Sequence, residues 1–213
     1  MHPNGCFGFL HEPTIRAAVI EQTISQELLL AICAASTRFV RHLTSTEEIH
    51  QRGQLWADEA KNLVFQRLVD YDIDILACLV LQFHHALANA QFELIRLLAP
   101  VAARMAMGLG LCEEPDPSLS PTYMDETGLE TRRRLVWACQ IFDWFTGWGA
   151  RSSLSFRPGT IKLRLPTSDK DFLAGQANEM PFLAECHEMG TDRCQSRLGA
   201  YVFLMSLKAK VLQ

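Results

Sequence analysis

The residues with the clearest chemical character form an arginine triplet, Arg132 to Arg134, which runs directly into an apolar, tryptophan-rich stretch. Three adjacent cations could bind phosphate, bind an anionic ligand or pair with carboxylates of their own protein. The chain carries a formal net charge of −4 and its pI is near 6.0, whereas domains dedicated to nucleic acid are usually basic. Intramolecular pairing is therefore the favoured interpretation of the triplet.

Helical spacing supplies partners for these arginines. Glu130 lies three residues before Arg133 and four before Arg134, the separations at which side chains meet on a helix. Arg133 lies four residues before Trp137, so we predict that its guanidinium lies over the indole ring. The pattern indicates ion pairing and packing between helices rather than contact with DNA. Binding of an anionic effector is the alternative.

Two histidine- or cysteine-containing groups were considered as metal sites. Adjacent side chains on a helix point about 100° apart, so His84 and His85 cannot jointly hold one ion. Cys186, His187 and Cys194 lack a fourth ligand and fit no familiar zinc spacing. The sequence therefore predicts no metal site in this chain.

Asp143 lies in the aromatic part of the same stretch as the arginines. A buried carboxylate there needs a cation or a helix-end donor, and a structural salt bridge is predicted in preference to general-base chemistry. The chain contains no nucleophile elbow, phosphate loop, dinucleotide-binding glycine pattern or His-Glu-x-x-His motif. We therefore expect a protein that is not an enzyme.

Composition and cysteine usage restrict the class of protein further. Seven cysteines are scattered singly among apolar residues, as is typical of reduced, buried thiols. The N-terminal residues do not form a secretory signal, and the apolar runs are too short to cross a bilayer. These features predict a soluble, intracellular protein with no membrane partner.

The elements that position these residues are predicted to be helices almost throughout. Apolar residues recur at helical spacing, strand-like alternation is absent, and we predict an all-α array of packed antiparallel helices with no significant sheet. Residues 1–213 are predicted to be one helical domain, and we expect it to be truncated at both ends. An exposed linker is predicted at about 112–127 and an irregular segment at about 151–190.

Several boundary signals are specific enough to check. Ser45 with Glu48 has the form of a capping box, and Asp72 or Asp74 can cap the helix that contains the two histidines. Pro100 is expected to bend or break its helix, because proline removes a backbone donor.

Several blocks of the sequence share motifs, in the same order, with one family. They have the forms His-Pro…Phe-Leu-His, Ala-Arg-x-Ala-x-x-Leu-Gly-Leu, Glu-x-Arg-Arg-Arg-Leu-Trp-Trp, and then Gly-Arg-Pro and Leu-Pro. The matching residues are His2, Pro3, Phe9, Leu10, His11, Ala103, Arg104, Met105, Ala106, Leu109, Gly110, Leu111, Glu130, Arg132, Arg133, Arg134, Leu135, Trp137, Asp143, Arg157, Pro158, Leu165 and Pro166. Residues 2–168 thus resemble the fungal-specific transcription factor domain, or middle homology region, of the Zn2Cys6 binuclear-cluster regulators.

The chain departs from the family pattern at a few positions. Val136 replaces the first tryptophan of the usual pair, Phe156 replaces the glycine before Arg-Pro, and Pro100 stands in a helix that is usually uninterrupted. The six-cysteine cluster that binds zinc and DNA in this family is absent from these 213 residues.

The resemblance implies a regulatory, non-catalytic domain of a nuclear transcription factor. It implies no cofactor in this chain, with zinc expected only in an absent N-terminal cluster through which the full factor would bind DNA. Expected partners are other transcription factors or co-regulator proteins, together with a possible small-molecule effector. The family-signature residues are Arg104, Glu130, Arg132, Arg133, Arg134, Trp137, Asp143, Arg157 and Pro158. The apolar and aromatic inventory adds a candidate effector pocket made of Phe83, His84, Phe142, Phe145 and Trp148.

Two other functions were weighed. A small all-α ligand-binding protein or enzyme acting on an apolar metabolite would need convergent polar groups in a pocket, and His84 with Asp143 is only a loose candidate pair. A helical interaction scaffold would bind a partner and respond to no effector.

Overall fold

The described part of the chain is an array of helices. The computed structural model describes residues 8–39, 46–115, 125–147, 154–176, 178–189 and 196–211. Within these ranges the helices are α1 (Glu12–Ile20), α2 (Gln26–Ser36), α3 (Thr46–Gln66), α4 (Ile73–Ala88), α5 (Phe92–Gly108), α6 (Glu126–Thr146), α7 (Asp169–Leu173), α8 (Leu183–Met189) and α9 (Arg197–Val211). Extended pairing in the same ranges is limited to isolated bridges. The predicted all-α class is confirmed.

Helix starts follow the capping residues. Asp72 is the N-cap of α4, where its carboxylate accepts a hydrogen bond from the amide of Asp74. Asp125 caps α6 by accepting from the amide of Gly128. Of the two caps proposed for α4, the structure selects Asp72, while Ser45 lies outside the described residues.

Helix α5 is continuous from Phe92 to Gly108 although Pro100 lies inside it. The predicted break is therefore absent. Pro100 lies on the exposed side of the helix, where water can bind the Arg96 carbonyl that lacks an amide donor. Gly110 follows the helix with a φ of +66° and ends it, as expected for a glycine stop.

The core is centred on α4, which is apolar on most sides. It packs against α2, α3, α5 and α6, and α6 in turn packs against α5 and α9. The α4 residues with no exposed surface are Ile75, Leu76, Cys78, Leu79, Val80 and Ala86. Because α4 is surrounded, its sequence carries little of the one-sided pattern of a surface helix.

Segments between the long helices are partly ordered by short helices. Both α7 and α8 lie within the 151–190 segment that was predicted to be irregular, and α7 begins where the Ser168 hydroxyl caps the amide of Asp171. Residues 113–115 are not helical, and α6 begins at Glu126, inside the predicted 112–127 linker. No helix in the described ranges is long and apolar enough to cross a membrane.

We predict that truncating the α4 core lowers the free energy of unfolding strongly. Leu79→Ala removes a side chain with no exposed surface, and the cavity should cost about 2–5 kcal/mol. The matched control is Leu55→Ala on α3, where the side chain is 68% exposed and the expected change is about 0.5 kcal/mol or less. Urea unfolding followed by circular dichroism measures both variants. Equal midpoints for the two would contradict the assignment of α4 to the core.

Candidate functional site

Helix α6 and residues 154–168, here called the strap segment, form the most polar buried contact in the described part of the chain. Glu130, Arg134 and Trp137 recur on α6 at spacings of four and three residues, which places them on one face of the helix. All of them hydrogen-bond to the strap segment. The arginine triplet is therefore part of an internal contact between a helix and an irregular segment.

Arg134 joins α6 to three other parts of the chain. Its side chain is 1% exposed, its Nε donates to Glu130 Oε1 at 2.8 Å, and its Nη2 donates to the Thr167 carbonyl at 2.8 Å. Its Nη1 donates to the Gly8 carbonyl at 2.7 Å and to Asp169 Oδ1 at 2.8 Å. The guanidinium also lies 4.3 Å from the centre of the Phe172 ring. A buried guanidinium is stable only with such partners.

Glu130 is the buried carboxylate that balances Arg134. Its Oε1 accepts from Arg134 and also from the backbone amide of Thr167 at 2.9 Å, and its Oε2 lies 3.8 Å from Arg133 Nη1. Burial raises the pKa of Glu130, while the bonds from Arg134 and from the Thr167 amide oppose that rise. The predicted pairing of Glu130 with the triplet is present in the structure.

Arg133 has a different partner from the one the spacing suggested. Its Nε and Nη2 donate to the two carboxylate oxygens of Glu114, each at 2.7 Å, so the guanidinium is directed to Glu114 and the predicted stacking on Trp137 is wrong. The neighbouring Arg134 does lie over an aromatic ring, that of Phe172.

Glu114 in turn contacts the strap segment. Its Oε1 accepts from the backbone amide of Arg164 at 2.9 Å. Burial acts to raise the pKa of Glu114, but the bonds from Arg133 and from the Arg164 amide outweigh burial and lower that pKa. Arg133 therefore attaches the strap segment indirectly, through this carboxylate.

The C-terminal half of α6 contacts the strap segment through Trp137 and Asp143. The indole N–H of Trp137 donates to the Arg164 carbonyl at 2.9 Å. The Asp143 carboxylate accepts from the backbone amides of Ser155, at 2.9 and 3.0 Å, and Phe156, at 3.0 Å. The predicted salt bridge of Asp143 is therefore replaced by backbone donors. Burial raises the pKa of Asp143, and these amide bonds oppose the rise.

The other signature residues lie apart from this contact or at its edge. Arg104 is exposed on α5, and Arg157 and Pro158 are exposed in the strap segment. Arg132 is half-buried and lines a shallow cleft with Arg133, Glu113 and Glu114, among other residues. Because the cleft contains as many carboxylates as guanidiniums, its charge does not favour an anionic effector.

The structure brings together most of the candidate effector-pocket residues. The rings of Phe83 and Phe142 are stacked with centroids 3.7 Å apart, His84 meets Phe142 edge-on at 5.0 Å, and Phe145 meets Phe83 edge-on at 6.4 Å. Trp148 lies outside the described residues. Phe83, His84 and Phe142 are each at most 4% exposed, so these rings fill core space. Ligand binding at this cluster stays a prediction.

No group of three or more potential metal ligands occurs among the residues that the structure describes. His84 and His85 are both buried on α4. His85 Nε2 lies 3.2 Å from Gln54 Oε1, which joins α4 to α3. Cys194 is outside the described ranges, so the Cys186, His187 and Cys194 group is not complete in the structure.

Sequence reasoning missed the partners that are distant along the chain. Glu114 lies 19 residues before Arg133, and the acceptors on Gly8 and Thr167 are backbone carbonyls, which every residue possesses. Phe172 gave no signal beyond being apolar. The available clue was the number of donors on Arg134, which exceeds what Glu130 alone can accept.

We predict that Arg134→Met lowers the free energy of unfolding by about 3–5 kcal/mol, because it leaves Glu130 buried without its cation. Arg157→Met is the matched control, since Arg157 is exposed, and should cost about 0.5 kcal/mol or less. Chemical denaturation measures the free energy of unfolding of both variants. The double variant Glu130→Gln with Arg134→Met should lose less stability than the sum of the losses of the two single variants. Similar losses for Arg134→Met and Arg157→Met would contradict the assigned contact.

We also predict a loss of stability in acid that depends on His84. Burial lowers the pKa of His84 from 6.5 to about 3, and the nearby Arg38 adds to the effect. Between these values the unfolded chain binds more protons at His84 than the folded chain, so stability falls as the pH falls from 6.5 toward 3. The drop in melting temperature between about pH 7 and about pH 4.5 should be smaller in His84→Gln than in the unmodified chain.

His50→Gln is the control for this titration, because His50 is exposed on α3. It should keep the pH dependence of the unmodified chain. An unchanged pH dependence in His84→Gln would show that His84 does not titrate as proposed.

Comparison of the sequence with known proteins identifies its family. The family model described as fungal specific transcription factor domain matches residues 2–197. The Zn(2)-C6 fungal-type transcription factor FTF1c of Fusarium oxysporum f. sp. lycopersici is 30% identical over 176 residues, which are 79% of this chain and 19% of that protein. The factor FTF2 of the same fungus is 30% identical over 170 residues, 75% of this chain and 16% of the relative.

A more distant relative is a transcriptional regulatory protein of Schizosaccharomyces pombe, 26% identical over 145 residues, 64% of this chain and 15% of that protein. The chain therefore spans less than a fifth of the length of these relatives. No solved structure gives a significant match. The resemblance carried by the motif blocks is confirmed, and the chain belongs to the fungal-specific transcription factor domain family.

Proposed function

We propose that this chain is the non-catalytic regulatory domain of a longer, nuclear transcription factor, whose DNA contacts are made by a zinc-cluster module outside these residues. The relatives are named as Zn(2)-C6 transcription factors, and the chain corresponds to less than a fifth of their length. On this proposal the domain needs no cofactor of its own, and zinc belongs to the separate module.

The observation that carries the proposal is the internal use of the arginine triplet. Arg134 is buried by its contacts with Glu130 and the strap segment, and Arg133 is neutralised by Glu114. Cations occupied in this way are not available to phosphate groups, whose neutralisation dominates DNA affinity. Arg133 and Arg134 thus stabilise contacts within the protein and do not form a nucleic-acid-binding surface.

The same contacts support a non-catalytic role. A general base needs a free carboxylate or imidazole facing a site for substrate. The Asp143 oxygens are engaged by the amides of Ser155 and Phe156, and His84 packs edge-on against Phe142 in the core. His84 and Asp143, the candidate polar pair of an enzyme, are therefore both engaged in structural contacts.

A regulatory domain must present a defined surface to other transcription factors or co-regulators, and to an effector if one exists. We assign that role to the surface formed by α6, α7 and the strap segment, which Arg134 holds together. An effector that binds one of two arrangements of the packed helices more tightly than the other would raise the population of the arrangement that it prefers. The cluster of Phe83, His84, Phe142 and Phe145 is the candidate place for such an effector.

We predict that the chain, fused to a heterologous DNA-binding domain, changes transcription of a reporter that carries the matching site. Arg134→Met should reduce the change at equal fusion abundance, because it releases the strap segment from α6. Arg52→Met should not, since Arg52 is exposed on α3, outside the surface assigned to partners. Reporter transcript is measured against the DNA-binding domain alone, with fusion abundance determined by immunoblot. Identical transcription with and without the chain would contradict a regulatory role.

A further inference from the structure

One face of α5 is unusually open for a helix so close to the core. Its buried side consists of Ile95, Leu98, Ala99, Ala102, Ala103, Met105 and Ala106. The opposite side is exposed along the whole helix, and it is called here the α5 stripe: Phe92, Glu93, Arg96, Leu97, Pro100 and Arg104. Phe92 is 59% exposed and Leu97 is 51% exposed. The stripe therefore combines exposed apolar side chains with exposed cations.

The two arginines of the α5 stripe are not neutralised by the described part of the chain. Arg96 and Arg104 lie eight residues apart, about 12 Å along the helix axis, and neither has an ion pair or a side-chain hydrogen bond there. By contrast, Arg67, Arg133 and Arg164 in the same ranges each bind a carboxylate. On this face the two arginines outnumber the one carboxylate, Glu93, so the face is locally positive although the net charge of the chain is −4.

Aromatic rings mark the two ends of the stripe. Phe92 is the first residue of α5, and the Tyr71 ring packs against Gly108, the last residue, so closely that a Cβ atom there would lie 2.0 Å from a ring carbon. Tyr71 is 50% exposed. Between the rings, Pro100 offers no amide to the Arg96 carbonyl, which leaves an acceptor for a ligand amide on the exposed face.

We propose that the α5 stripe binds an acidic segment of a partner protein, in which carboxylates alternate with apolar side chains. Carboxylates would pair with Arg96 and Arg104 through bidentate hydrogen bonds, and apolar side chains would cover Leu97 and Phe92. The inference rests on the regulatory role proposed above and names the chemistry of the partner. Duplex DNA fits the stripe less well, because the exposed apolar side chains of Phe92 and Leu97 would face its phosphates, whereas an acidic peptide with alternating apolar side chains can cover them.

The test uses the 213-residue chain and a fluorescent synthetic peptide in which glutamate and aspartate alternate with leucine and phenylalanine. Fluorescence anisotropy should show binding that weakens as salt is raised to about 0.5 M. Arg96→Glu combined with Arg104→Glu should weaken binding about tenfold or more, because two attractions become repulsions. A peptide with glutamine and asparagine in place of the acids should bind far more weakly.

The matched control is Arg52→Glu combined with Lys170→Glu, which changes the net charge equally at exposed positions elsewhere. It should retain the affinity of the unmodified chain, and thermal melting should show that both double variants are folded. The proposal is overturned if the acidic peptide fails to bind, if the two double variants lose affinity equally, or if a duplex DNA probe displaces the peptide from the stripe.

The peptide-binding assay does not depend on transcription. A chain that regulates the reporter but does not bind the peptide would refute the α5 stripe alone. A chain that binds the peptide through Arg96 and Arg104 but leaves the reporter unchanged would refute the regulatory role and leave the binding surface standing.

Discussion

One buried cation joins helix α6 to the strap segment, to α7 and to the start of the described chain. Arg134 has almost no contact with solvent, so its guanidinium must find acceptors within the protein. It finds them on Glu130 in its own helix, on the Thr167 carbonyl, on the Gly8 carbonyl and on Asp169. Segments far apart in the chain are thus held at one point, where a misplaced segment would leave a buried charge unpaired.

The contacts also explain why helix α6 carries so many polar residues in a mostly apolar setting. Glu130, Trp137 and Asp143 each bind backbone groups of the strap segment, at Thr167, Arg164, and Ser155 with Phe156, respectively. A segment with little regular structure of its own cannot satisfy these backbone groups internally. The side chains of α6 supply the missing partners, as a neighbouring strand would in a sheet.

Four arginines in the described part of the chain show two different physical roles. Arg133 and Arg134 are drawn into the protein, where carboxylates and carbonyls satisfy their donors. Arg96 and Arg104 lie on the open side of α5, beside exposed apolar residues. An interior ion pair is an element of structure, whereas an unpaired surface cation is available to a partner. The family blocks contain both kinds, and their chemistry alone does not distinguish them.

Several features followed directly from local sequence. The helical class, the restriction of the α4 cap to Asp72 or Asp74, and the pairing of Glu130 with Arg134 all depend on groups within a few residues of one another. The continuity of α5 through Pro100 did not follow, because exposure to water removes much of the cost of a lost hydrogen bond. The short helices α7 and α8 were also missed, since so few turns leave little periodicity to detect.

By itself the sequence determined the all-α class, the pairing of Glu130 with Arg134 and the family, because these depend on local spacing and on ordered motifs. Only the tertiary structure decided that Arg133 binds Glu114 and that Asp143 binds backbone amides instead of a cation. Both choices join parts of the chain that no helical period relates, and backbone donors have no signature in the sequence. Which arginine is buried and which is exposed is set by how the helices pack, so the roles of otherwise identical side chains appear only in the folded protein.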